Sequence, residues 1–139
     1  MAEVPLSRIL LDAFRVLDAE IESGLRDHGV DLSPSHASGI LLIDRGGTRL
    51  SELASRARIS KQAMMQVVDD LESKGLVRRA PDPSDSRAKI VKLTARGLRQ
   101  RAEARRAVAT VETRARRLLG NRRYDALRTA LADLTTGEQ

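Results

Sequence analysis

The apolar residues of this chain recur at helical spacing almost from end to end, and extended segments interrupt that pattern mainly once, between Leu76 and Thr94. There Leu76-Val77-Arg78-Arg79 and Ala88-Lys89-Ile90-Val91-Lys92-Leu93 read as strands flanking Pro81-Asp82-Pro83-Ser84-Asp85, turn formers expected to continue neither strand. The expected fold class is therefore mainly α with a small β-hairpin. At 139 residues the chain is expected to be a single domain, 1–139, with a core of its own.

Four helices are expected before the hairpin. Ile9, Leu10, Ala13, Phe14, Leu17, Ile21 and Leu25 form an apolar stripe from Leu6 onward, ended by Asp27-His28-Gly29. Ser33 followed by Pro34 has the form of an N-cap and first helical residue, opening a helix through Ala37, Ile40, Leu41 and Ile43 that stops at Gly46-Gly47. Thr48-Arg49-Leu50 reads as a short extended piece, and Ser51 as the cap of a short helix carrying Leu53, Ala54 and Ala57. Ser60 caps the next helix, which turns Met64, Val67, Val68 and Leu71 inward before Gly75 takes the left-handed position past its end. After the hairpin, Thr94 caps a long helix marked by Leu98, Ala102, Val108, Val111, Ala115, Leu118 and Leu119 and broken at Gly120-Asn121. Tyr124, Leu127, Leu131 and Leu134 mark a last helix, and the polar tail from Thr135 to Gln139 is expected to be disordered.

Net charge +6 and pI ≈ 10.7 favour a polyanionic partner. The charge is concentrated: residues 45–106 carry 16 basic against 7 acidic side chains, residues 1–44 only 3 against 8. Arginine dominates, and its planar fork suits phosphates and guanine edges. Phe14 and Tyr124 are the only aromatics, too few to stack unpaired bases, so duplex DNA is favoured over single strands. With no Cys, disulfides, thiolate metal sites and a cysteine nucleophile are excluded, and a cytoplasmic location is expected. No apolar run approaches the ~20 residues of a membrane span, so no membrane partner is expected. The two histidines, His28 and His36, come with no Gly-rich phosphate loop, metal-ligand spacing or serine near a base, so no enzyme, cofactor or metal site is expected.

Helix, helix, short helix, turn, helix and hairpin is the order of a winged helix-turn-helix, which lays its second helix in the major groove and its hairpin over the neighbouring backbone or minor groove. The chain from Leu53-Ala54-Ser55 and Ile59-Ser60, through Val67-Val68-Asp69-Asp70-Leu71-Glu72-Ser73-Lys74-Gly75-Leu76-Val77 and Asp85-Ser86-Arg87, to Val91-Lys92-Leu93-Thr94-Ala95-Arg96-Gly97, resembles the multiple-antibiotic-resistance regulator (MarR) family. That resemblance implies a homodimer, with 6–27 and 94–135 as dimerisation helices and 33–93 as a DNA-binding lobe whose wing is 76–93. It also implies a transcriptional regulator, more often a repressor, on a pseudo-palindromic operator. A small-molecule effector in the crevice between dimer helices and lobe is implied too, which makes His28 and His36 candidate ligand-binding residues. The apolar stripes of the terminal helices agree with a dimer, because a monomer would leave them uncovered.

With Met64, Val67, Val68 and Leu71 facing the core, Lys61, Gln62, Met65 and Gln66 occupy the outward face of the first two turns. Ser60 adds a hydroxyl at a helix N-terminus, which favours a phosphate. Gln62 and Gln66 suit bidentate contacts to adenine, Lys61 a guanine or a phosphate, and Met65 either a thymine methyl or ordinary surface. On the wing, Asp85 orients Arg87 toward the minor groove by resemblance, while Arg78, Arg79, Lys89 and Lys92, with Arg56 and Arg58 before the turn, are candidates for phosphate neutralisation. A winged helix serving a protein partner and a non-specific architectural DNA binder are the alternatives.

Overall fold

The computed structural model describes residues 1–137. Its elements are α1 (Leu6–Asp27), α2 (Pro34–Leu41), β1 (Thr48–Arg49), α3 (Leu50–Ala57), α4 (Lys61–Ser73), β2 (Val77–Asp82), β3 (Asp85–Leu93), α5 (Ala95–Leu119) and α6 (Asn121–Thr136). This is a winged helix-turn-helix flanked by long terminal helices, as the order of elements predicts.

Three of the expected caps form because each serine or threonine accepts from the backbone N–H three residues on: Ser33 from His36, Ser60 from Ala63 and Thr94 from Gly97. Ser51 does not cap α3. That helix starts two residues earlier, at Leu50, with Arg49 in extended backbone as its N-cap and no side-chain cap bond, because β1 runs directly into it. The second helix ends at Leu41, so Ile43 is buried from the following turn and not from the helix.

The hairpin is longer than the turn formers suggest, and it is part of a three-stranded antiparallel sheet in the order β1-β3-β2. Thr48 and Arg49 pair with Val91 and Ile90. β2 continues through Pro81 and Asp82, with a register shift between them, because it is an edge strand and a proline there forfeits no ladder bond on its outer side. The connection shrinks to Pro83 and Ser84.

The core joins Leu25, Val30, Ile40, Leu53, Met64, Val68, Leu71, Leu76, Val77 and Val91 with Ala104 and Ala107 of α5. The inward face of α5 is Gly97, Arg101, Ala104, Ala107 and Val111; Leu98 and Leu118, expected on its stripe, are exposed. Small residues line that face because α1 crosses closely there, with the backbone of Gly24 set against Ala107.

One junction fixes the lobe to α5. Thr94 donates its backbone N–H to Leu76 (3.0 Å) and its hydroxyl to the carbonyl of Gly75 (2.6 Å), while Gly97 packs so closely that a Cβ there would lie 1.9 Å from the Leu76 carbonyl oxygen. The Gly-Leu and Leu-Thr-x-x-Gly segments are thus two halves of one contact. The helix α6 extends through Thr136, further than the expected disordered tail allows, and positions 138 and 139 of that tail lie outside the described residues.

Candidate nucleic-acid interface

The helix-turn-helix is built from α3 and α4. Its turn holds Arg58 at φ 55°, a left-handed conformation that costs a non-glycine residue about 1 kcal/mol or more; its side chain is exposed, with no carboxylate partner among the described residues. Past the turn, Ser60, Lys61, Gln62, Met65 and Gln66 are all exposed, while Met64, Val68 and Leu71 are buried and Val67 is half-buried. The helix therefore presents the expected polar face from its first two turns. Met65 is 44% exposed, the one apolar member of that face.

The acidic second half of α4 is occupied from within the protein. Arg79 on β2 donates to Asp69 and to Glu72, both at 2.6 Å, and His36 Nε2 lies 2.9 Å from Asp70, with its Nδ1 on the Ser33 hydroxyl at 2.7 Å. Three carboxylates on the helix are each engaged by a partner on β2 or α2, which lowers their repulsion of an approaching polyanion. Arg79, expected among the phosphate-neutralising residues, has its guanidinium held by two acids and is half-buried; it aligns β2 with α4. Arg56 is likewise held, forked onto Asp44 (2.9 and 3.0 Å) and onto the Leu42 carbonyl (2.9 Å), and the bond to Asp44 holds that carboxyl below its usual range. Arg78 and Lys89 stay exposed, with no carboxylate partner among the described residues.

At the wing tip Arg87 is 92% exposed at its side chain. Asp85 accepts from the Arg87 backbone N–H at 3.0 Å, and its carboxylate stands 3.5 Å from the Arg87 Nε. Asp82, expected only as a turn former, does more. Its carboxylate is nearly buried and accepts from the backbone N–H and hydroxyl of Ser84, both at 2.8 Å, and from Arg49 Nε at 2.6 Å. Those bonds hold its carboxyl down to about 2 and, reciprocally, push the Arg49 guanidinium up. Asp82 thus folds the tight connection and ties the wing to β1. Asp two residues before Ser among turn formers is the spacing of an Asx turn, a signal that was present; its bond to Arg49, 33 residues away, had none.

His28 and His36 do not share a site. His28 Nδ1 lies 3.1 Å from Glu103 of α5 and faces a cavity with Glu20, Asp27, Ala107 and Arg114, whereas His36 lines a groove with Asp31, Ser33, Asp70 and Lys74. Among the described residues no group of His, Cys, Asp or Glu could hold a metal ion, and no helix is long and apolar enough to cross a membrane.

The fold and this face define a winged-helix regulator. Residues 30–88 match the MarR family profile, and the HTH-type transcriptional repressor Rv2887 of Mycobacterium tuberculosis (strain ATCC 25618 / H37Rv) is 35% identical over 117 residues, covering 84% of this chain and 81% of that protein. The chain belongs to the MarR family. Among solved structures, the transcriptional repressor CouR bound to a 23-mer DNA duplex superposes with a TM-score of 0.83 at 30% identity, over 96% of this chain and 99% of that one. CouR bound to p-coumaroyl-CoA gives 0.84 at 29% identity, over 96% of this chain and 94% of that one.

Proposed function

We propose that this MarR-family chain is a sequence-specific, double-stranded DNA-binding transcriptional repressor that acts as a homodimer on a pseudo-palindromic operator and is relieved by a small-molecule effector. The observation that carries the reading is the division of α4. Its N-terminal half presents Lys61, Gln62, Met65 and Gln66 from a serine-capped end, while the acids of its C-terminal half are held by Arg79 and His36.

In this reading α4 enters the major groove, where Gln62 and Gln66 read adenine edges, Met65 meets a thymine methyl, and Lys61 takes a guanine or phosphate. Ser60 and the α4 N-terminus hold a phosphate. Arg87, set by Asp85 at the tip of the wing, enters the minor groove, and Arg58, Arg78 and Lys89 neutralise the backbone. The domain division follows the same lines: the lobe at 33–93 with its wing at 76–93 binds DNA, and the helices at 6–27 and 94–135 pair two copies. A regulator of this kind works where the DNA is, in the cytoplasm. Repressor activity and an effector rest on likeness to Rv2887 and to CouR, whose structures carry DNA in one case and p-coumaroyl-CoA in the other.

Selection of bound fragments from random duplex DNA tests the reading. The expected product is an inverted repeat with half-sites about 10 bp apart, one helical turn. Enrichment without a repeated motif would assign the protein to architectural binding, and no enrichment would refute DNA binding.

A further inference from the structure

The sulfur of this chain is confined to three methionines, with no cysteine beside them. Their surroundings differ sharply. Met1, ahead of α1, is fully exposed; Met64 belongs to the lobe's core and is 2% exposed; Met65, the next residue, is 44% exposed on the outer face of α4. Consecutive helical side chains point about 100° apart, so a single step along α4 separates a sealed thioether from an open one.

Met65 stands where a change of polarity has a consequence. It lies one turn beyond Lys61, three residues beyond Gln62 and next to Gln66, the side chains assigned above to base edges and phosphate, and it is the one apolar member of that face. A thioether is soft and apolar, whereas its sulfoxide is polar and chiral, with an oxygen that accepts hydrogen bonds. Against a thymine methyl that oxygen would be buried without a donor. The same change at Met64 would break the core instead, but Met64 is closed to solvent.

Without cysteine the sulfenic-acid and disulfide steps of sulfur oxidation are closed to this chain, and the thioethers alone remain. Sulfoxide formation is also a step that reductases reverse.

We propose that Met65 is a reversible oxidation site, at which a two-electron oxidant, hydrogen peroxide or hypochlorous acid, converts the thioether to a sulfoxide and lowers the affinity of α4 for duplex DNA. The sulfur gives up two electrons and gains one S–O bond. Peroxide loses its O–O bond and leaves as water; hypochlorous acid loses its O–Cl bond and leaves as chloride and a proton. The effect on DNA rests on the reading of α4 as the helix that enters the major groove; selective oxidation at Met65 does not.

The test titrates the full chain with hydrogen peroxide and, separately, with hypochlorous acid. Peptide mass mapping follows each methionine, thermal denaturation follows the fold, and fluorescence anisotropy follows affinity for the duplex selected from random fragments. Oxygen is expected on Met65 well before Met64, with Tm unchanged and affinity lowered about tenfold or more, the scale of one buried polar group left unpaired. A response to peroxide assigns peroxide as the agent, and a response to hypochlorous acid alone assigns that acid. Methionine sulfoxide reductases for both epimers are expected to restore the affinity, and bound duplex is expected to slow oxidation at Met65 but not at Met1. Met65→Gln, polar from the start, is expected to bind weakly without oxidant. Met65→Leu is judged by the ratio of its own affinities before and after treatment, expected near one; if it binds no duplex, restoration by the reductases decides. The proposal is overturned if Met64 is oxidised as readily as Met65, if the loss of affinity comes with a lower Tm, if the reductases do not restore binding, or if bound duplex leaves Met65 as reactive as Met1. It is also overturned if Met65→Leu loses as much affinity to oxidant as the parent chain. A reduced chain that binds no duplex refutes the regulator reading and the switch together, whereas equal binding by the reduced and oxidised chains refutes the switch alone.

Discussion

In the lobe, Leu53, Met64, Val68 and Leu71 are no more than 2% exposed, whereas Leu6 and Phe14 of α1 and Leu134 of α6 are 58%, 59% and 62% exposed. The α1 helix buries a single residue, Leu25, and α6 only Tyr124, whose ring lies 4.3 Å beneath the Arg116 guanidinium. The lobe closes its core within one chain. The terminal helices carry stripes of the same chemistry that no described residue covers, and in the proposed homodimer a second copy covers them.

The sharpest way to break this contrast is to place charge on the uncovered face. Phe14→Lys with Leu127→Lys is expected to yield a folded monomer by sedimentation, because each unpartnered charge buried between copies costs about 3–5 kcal/mol while the isolated chain exposes both positions. An unchanged dimer would show that these stripes do not pair. In the lobe the expected effect is on folding: Leu71→Ala removes a fully buried side chain and should lower stability by about 3 kcal/mol in urea denaturation, with the association state unchanged where the chain is folded.

Smaller effects separate the lobe's outer face from its interior. Gln66→Ala should leave stability and association alone, cost about 1–3 kcal/mol at the selected operator, and relax one position per half-site; Arg78→Ala should weaken all duplexes alike and reduce the salt slope by about one per subunit. Equal losses on every sequence for both variants would remove Gln66 from base readout. The smallest effect concerns Asp82. Its carboxyl is lowered from 3.8 to about 2 in the folded chain, so its contribution to stability is complete above pH about 4 and is lost as pH falls toward 2. Asp82→Asn should flatten the stability profile in that window; an unaltered acid limb would mean that the bonds to Arg49 and Ser84 do not hold the wing.

The local features of the fold were legible because their causes lie within three or four residues: the caps at Ser33, Ser60 and Thr94, the break at Gly120, and the outward face of α4. What escaped was set by partners distant in sequence. Thr48 and Arg49 read as extended, but a two-residue strand has no period that names its partner, and its pairing with Val91 and Ile90 of β3 was not legible. The inward face of α5 is made of Ala104, Ala107 and an arginine, which no hydrophobic stripe announces. By sequence Arg79 is one wing cation among several and Asp82 one turn former among several; what sets them apart is Asp69 and Glu72 on the first and Arg49 on the second. For the candidate interface, residue types and helical spacing could place side chains outward but could not say which cations were already engaged.

The junction of Thr94 and Gly97 with Gly75 and Leu76 makes α5 a lever whose N-terminal end is welded to the segment that follows α4, the helix proposed to read DNA. A helix of 25 residues is about 37 Å long at about 1.5 Å per residue. Pivoting it by about 5° at the pairing end would carry the lobe end through about 3 Å, close to the ~3.4 Å rise of a single base step. In the proposed dimer, half-site spacing would thus respond to small changes of helix angle, and Gly97 sets how tightly the weld closes: a methyl group there would push the Leu76 carbonyl away and let α4 shift relative to α5.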